Sequence, residues 1–156
     1  MDKSTVSPNY QAMAEFRYQI RRFLRFSEQA ARESGVEPKQ YQLMLALKGL
    51  PGEFRPRIGE LAERLQIQHH STVELVNRLA SRGYIRRHKG DLDKREVLVS
   101  LTPSGEKILR ELALDHQAEI KSRGPDLVAA LKRIMVAARS SSHVPRAGKR
   151  SSKRKN

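Results

Sequence analysis

The chain has 156 residues, no Cys and no Trp, and 31 Lys or Arg against 17 Asp or Glu, a net formal charge of +14. One domain is expected at this length. The missing Cys exclude disulfide frameworks, thiolate zinc sites, thiol nucleophiles and thiol redox sensing. No apolar run reaches the roughly 18 residues of a membrane span, and the first residues lack the apolar stretch of a secretory signal. The expectation is a cytoplasmic protein without a membrane segment. A basic excess of this size points to a polyanion, most often nucleic acid, although an anionic membrane surface attracts the same charge.

Residues 1–8 are expected to be a flexible N-terminus. Residues 9–33 read as a helix, with Tyr10, Met13, Phe16, Ile20, Phe23 and Leu24 at three- and four-residue steps. Gly35 stops it. Five of the eight aromatic residues sit here (Tyr10, Phe16, Tyr18, Phe23, Phe26), so the apolar surface is wider than one buried face needs. Such a helix either fills the core or also packs on a second subunit. Pro38 opens a second helix carrying Tyr41, Met44, Leu45 and Leu47, and Gly49 to Pro56 reads as a loop.

Next, Ile58, Leu61, Ala62 and Leu65 follow i, i+3, i+4, i+7 in a short amphipathic helix. After a tight turn at Gln66–Gln68 the same spacing returns at Thr72, Leu75, Val76 and Leu79, with Gly83 as the stop. Two short helices so joined form a helix-turn-helix. The second would be the recognition helix, offering His70, Val73, Glu74, Asn77, Arg78 and Ser81 to the major groove. The period then changes to 2. Tyr84–Lys89 and Glu96–Leu101 read as two strands, Val97, Val99 and Leu101 alternating, around a polar turn at Gly90–Lys94. Between Arg78 and Arg95 seven Lys or Arg face only Asp91 and Asp93. Helix-turn-helix plus a basic hairpin is a winged helix, over about 37–101.

Thr102 and Pro103 are N-cap and N1 of a helix over about 103–122. Gly124-Pro125 is expected to break it, and a last helix spans about 126–138. The expected fold is mainly α with a small β-hairpin wing: one domain over 9–138, its winged helix-turn-helix flanked by N- and C-terminal helices that want a dimer partner. From Arg139 to the end, residues 139–156 hold seven Lys or Arg and no acid. With little apolar surface to offset ordering entropy, this basic tail is expected to be disordered.

The stretch from Ile58 to Leu109 resembles the core of the MarR family of winged-helix transcriptional regulators. The resemblance covers about 37–112 by motif, and the helix order fits over 9–138. Its most specific piece is the wing sequence Asp93-Lys94-Arg95, followed by an alternating strand and Leu101-Thr102-Pro103-Ser104-Gly105. The resemblance implies a homodimer with interlocked terminal helices, each protomer placing its recognition helix in the major groove and its wing in the minor groove. The target would be double-stranded DNA, a pseudo-palindromic promoter operator. Many members are repressors released by small, often aromatic, ligands held between the dimerisation helices and the winged domain. Two features depart from the pattern: Glu74, where many relatives carry a basic or small residue, and the basic tail.

The residues expected on DNA are His69, His70, Ser71, Val73, Asn77, Arg78, Arg87, Lys89, Asp93, Lys94 and Arg95. Arg95 at the wing tip suits a narrow, electronegative minor groove, with Asp93 pinning its guanidinium; the plain alternative is an exposed turn ion pair. Asn77 and Arg78 suit adenine and guanine edges, or form an ordinary solvated face. Val73 suits a thymine methyl or the core edge. Adjacent His69 and His70 diverge on a helix and are too few for zinc, so phosphate or base contact at the helix start is the better reading. Ser104 to Lys107 matches Ser-x-x-Lys but has no partner motif. No enzyme, cofactor or metal site is expected. Effector-binding candidates, by position, are Met13, Arg17, Tyr41, Met44 and His116; core or dimer packing is the competing role for each. The competing function is an architectural, nucleoid-type DNA binder that uses wing and tail charge without sequence readout. A third is a protein-docking winged helix.

Overall fold

The computed structural model describes residues 7–140. Its elements are α1 (Tyr10–Glu33), α2 (Pro38–Lys48), α3 (Ile58–Leu65), α4 (His69–Ser81), β1 (Ile85–Lys89), β2 (Val97–Leu101) and α5 (Pro103–Ser140). They fall into two compact units. One comprises residues 22–122; the other comprises, among the described residues, 7–21 and 123–140.

The larger unit is punctuated by repeated helix stops. Gly35 has φ +73°, with Gly35 N–H on Arg32 O and Val36 N–H on Ala31 O, each at 2.9 Å. Gln66 (φ 52°) and Gly83 (φ +74°) end α3 and α4 in the same way, Ile67 N–H reaching Ala62 O and Tyr84 N–H reaching Leu79 O. Each stop satisfies orphan carbonyls of the last turn and folds the next apolar residue back onto the helix. Val36, the first such residue, is in the core with Leu43, Met44, Leu61, Val76, Leu79, Val99 and Leu112. The three-residue link 66–68 therefore sets α4 against α3.

The wing is an antiparallel pair with Ile85 opposite Leu101, Arg87 opposite Val99 and Lys89 opposite Val97. The expected alternation holds only in part: Val99 is buried, but Val97 is exposed and Leu98 is buried. The cause is a third extended segment. Arg57 bridges Leu98, and Val99 N–H donates to Pro56 O at 2.9 Å, so residues 56–57 cover the outer edge of β2.

Thr102 joins the wing to α5. Its N–H donates to Tyr84 O at 3.0 Å, and its Oγ1 accepts from Gly105 N–H at 3.1 Å as the helix cap. The α5 helix then runs unbroken to Ser140 with Pro125 inside it. This corrects the expected break at Gly124-Pro125 and the division into helices at 103–122 and 126–138. A proline in a helix interior costs roughly 3 kcal/mol, yet α5 continues on both sides of Pro125. Arg139 and Ser140, assigned to the tail, are helical; the rest of the tail and residues 1–6 lie outside the described residues.

In the smaller unit Asn9 Oδ1 caps α1 by accepting from Ala12 N–H at 3.0 Å. Ala12 and Ala130 are buried there, while Tyr10, Met13, Tyr18, Val128, Leu131, Met135 and Val136 are exposed. Among the described residues no helix is long and apolar enough to cross a membrane.

Candidate nucleic-acid interface

Helix α4 buries Thr72, Leu75, Val76 and Leu79 and exposes His69, His70, Glu74, Asn77, Arg78 and Ser81. Ser71 and Val73 are half-buried at the margin. The expected recognition face is therefore exposed, but two of its members already have partners. Asn77 Oδ1 accepts a hydrogen bond from Arg87 Nη2 on β1. Arg78 Nη1 lies 3.4 Å from Glu37 Oε2, at the start of α2. An exposed pair of that kind contributes ~0–1 kcal/mol, so Arg78 stays available to a stronger anion.

In the wing, Arg87, Lys89, Asp93, Lys94 and Arg95 are all exposed. Asp93 acts differently from expectation. Its Oδ1 accepts the backbone N–H of Arg95 at 2.9 Å, and among the described residues its carboxylate makes no ion pair with the Arg95 guanidinium. A short acid accepting from the backbone two residues on is a common turn device. It fixes the loop and leaves the guanidinium unclaimed. At the tip, Leu92 is 90% exposed.

Three residues that the sequence reading passed over join the wing to the helix-turn-helix. Glu96, only 13% exposed, takes Arg55 on both oxygens (Nη2 at 2.7 Å, Nε at 3.1 Å) and Arg57 Nε at 3.0 Å. The available signal was Arg55-Pro56-Arg57 itself: in an extended segment, residues two apart share one face. A groove of about 690 Å³ lies beside this cluster, lined by Arg55, Arg57, His69, Asp93, Arg95 and Glu96 among others.

Of the effector candidates, Tyr41, Met44 and His116 are buried in the larger unit, whereas Met13 and Arg17 are exposed residues of the smaller one. His116 stacks on Tyr41, ring centroids 4.4 Å apart at 28°, and meets Phe23 and Phe26 edge-on. Its Nδ1–H donates to Leu112 O at 2.6 Å, and Nε2 lies 2.8 Å from Ser27 Oγ. A carbonyl only accepts, so Nε2 of the neutral ring accepts the Ser27 hydroxyl proton. Burial pushes the Tyr41 phenol above its ordinary value. Both ring nitrogens of His116 are thus paired inside an aromatic core cluster. Among the described residues no three His, Asp or Glu gather as a metal site.

The helix-turn-helix, hairpin and exposed basic faces define a winged-helix protein. Residues 34–96 match the MarR family. A putative transcriptional regulatory protein for the hcr operon of Thauera aromatica is 28% identical over 96 residues, 62% of this chain and 56% of that protein. YsmB of Bacillus subtilis, described as an uncharacterized HTH-type transcriptional regulator, is 30% identical over 64 residues, 41% of this chain and 44% of YsmB. The chain thus spans about half the length of these relatives. Among solved structures, a MepR variant of S. aureus superposes with TM-score 0.68 at 16% identity, covering 83% of this chain and 98% of that one. A MarR variant of E. coli complexed with operator DNA gives 0.60 at 21% identity, covering 78% and 89%. The family match thus falls on the winged helix, and the solved structures share its fold.

Proposed function

We propose that the protein is a sequence-specific, double-stranded-DNA-binding transcriptional regulator that acts as a homodimer on a pseudo-palindromic operator. The observation that carries this reading is the pairing of an exposed α4 face, His69 to Arg78, with an exposed wing arginine, Arg95, on one compact unit. One element suits the major groove and the other the minor groove. The matched family and the MarR variant solved with operator DNA support the same partner. Exposed Tyr10, Met13, Leu131, Met135 and Val136 support a second copy as the cover for the smaller unit, because apolar patches of this kind mark interaction surfaces.

Repression, and release by a small aromatic ligand, are the family-based part of the proposal. Such a ligand would act by favouring a dimer whose two recognition helices no longer fit both half-sites. The buried Tyr41, Met44 and His116 support core packing rather than an open ligand site. The second reading, an architectural DNA binder, draws on the basic residues 141–156. Arg95→Ala and truncation after Ser140 separate the two. A sequence-reading regulator loses more affinity at physiological salt from Arg95→Ala. If truncation costs more, charge-driven architectural binding is the better description.

A further inference from the structure

The Glu96 cluster is unusual for a surface that meets a polyanion: an acid is planted where phosphates would approach. Its placement is specific. Gly90 packs so closely on it that a Cβ there would lie 2.6 Å from Glu96 Oε2. The backbone of Glu96 is tied at both ends, its N–H to Asp93 O and its carbonyl to Gly90 N–H. Arg55 is held by two contacts. Arg57, 58% exposed, pairs with Glu96 with its Nε 3.0 Å from Oε1. Pro56 and the Arg57–Leu98 bridge fix the backbone that carries them. The result is an exposed, ion-paired guanidinium lining a groove that His69, first residue of α4, and Arg95 also line.

We propose that Arg57 seats a backbone phosphate of bound duplex DNA in this groove, and that Glu96 is the positioning residue that aims it. The inference rests on the DNA-binding reading above. A guanidinium already held by an ion pair loses less freedom when it binds, and its planar donor fork matches the two oxygens of a phosphodiester. Phosphate contacts of this kind set register between the two groove-reading elements without reading bases.

The test is binding of the full-length chain to a random-sequence duplex of about 30 base pairs, from about 50 to 200 mM salt. Arg57→Ala should weaken binding and lower the salt slope by about 0.9, the loss of one phosphate contact. Arg57→Lys, which keeps a point charge, should retain most of the slope. Arg32→Ala removes an equal charge from an exposed α1 pair with Glu28 and should leave the slope unchanged. Glu96→Gln gives opposite signs for the two views. If the acid only repels phosphate, its removal tightens binding; if it aims Arg57, its removal weakens binding and adds nothing further in the Arg57→Ala background. An unchanged slope in Arg57→Ala overturns the phosphate seat, and tighter binding by Glu96→Gln overturns the positioning role. Absence of duplex binding by the wild type overturns this inference together with the DNA-binding reading. Thermal melts of each variant check folding, and Arg57→Gln stands in for Arg57→Ala if the latter melts early.

Discussion

Arg87 on the first wing strand donates through Nη2 to the amide oxygen of Asn77 on α4. The two elements expected to read separate grooves are thus joined by a side-chain hydrogen bond between partners ten positions apart. The amide's NH₂ end keeps both of its donors for a base edge.

This link predicts coupling on DNA. Asn77→Ala and Arg87→Ala should each weaken binding to a duplex from upstream of the protein's own gene, by about 1–3 kcal/mol for a base-reading contact. The double variant should lose less than the sum, with a coupling of about 0.5 kcal/mol or more. A double-mutant cycle by fluorescence anisotropy checks it, and strict additivity would mean that the two side chains act independently on DNA.

Gly105 predicts a stability effect with a purely steric cause. A Cβ at this position would sit 1.9 Å from the Tyr84 carbonyl oxygen, a backbone atom that cannot swing aside. Gly105→Ala should therefore force the start of α5 away from the wing and destabilise by about 1–3 kcal/mol or more. Urea denaturation followed by circular dichroism measures it. A variant as stable as the wild type would show that α5 can start elsewhere at no cost.

The Ser27–His116 bond predicts a second. Both residues are buried, and Ser27→Ala would leave His116 Nε2 without its donor. A stranded buried acceptor costs about 1–3 kcal/mol, well above the usual effect of an exposed Ser→Ala change. Thermal melts of Ser27→Ala beside a Ser104→Ala control, which is exposed at the start of α5, should show the first shifted down and the second unmoved.

Tyr41 gives a pH dependence. Its phenol is raised by desolvation in the folded chain, so the unfolded chain releases that proton first as pH rises. Stability from this group is whole below about pH 10, the unfolded value, and declines as pH climbs from there through the folded value. Tyr41→Phe should flatten this alkaline fall in denaturation curves taken from neutral to alkaline pH. Identical pH profiles for variant and wild type would remove Tyr41 as its source.

How much of this was legible in the sequence depended on range. The helix-turn-helix followed from two i, i+3, i+4, i+7 sets and a three-residue link, and the wing from the change of period at Tyr84. Gly35 and Gly83 marked helix ends because each needs a positive φ that other residues avoid. Pro125 misled because a local breaker signal was set against a helix that extends on both sides of it. Leu98 misled because the segment that pairs with its strand edge, at Arg57, is distant in sequence. The site showed the same limit. The exposed positions of Arg95 on the wing and Asn77 on α4 were readable, whereas the Glu96–Arg55 pair spans 41 residues and His116–Ser27 spans 89. No periodicity reports pairings of that reach. Asp93 was read as a partner for a side chain, and the fold uses it for a backbone N–H instead.

The most direct measurement is affinity for duplex from the protein's own upstream region against scrambled duplex of equal length, across a salt series. A regulator that reads sequence should prefer its own site by ~10³-fold or more, and the preference should persist at physiological salt. A ratio near one, with affinity collapsing as salt rises, would contradict sequence reading and leave charge alone as what holds the protein to DNA.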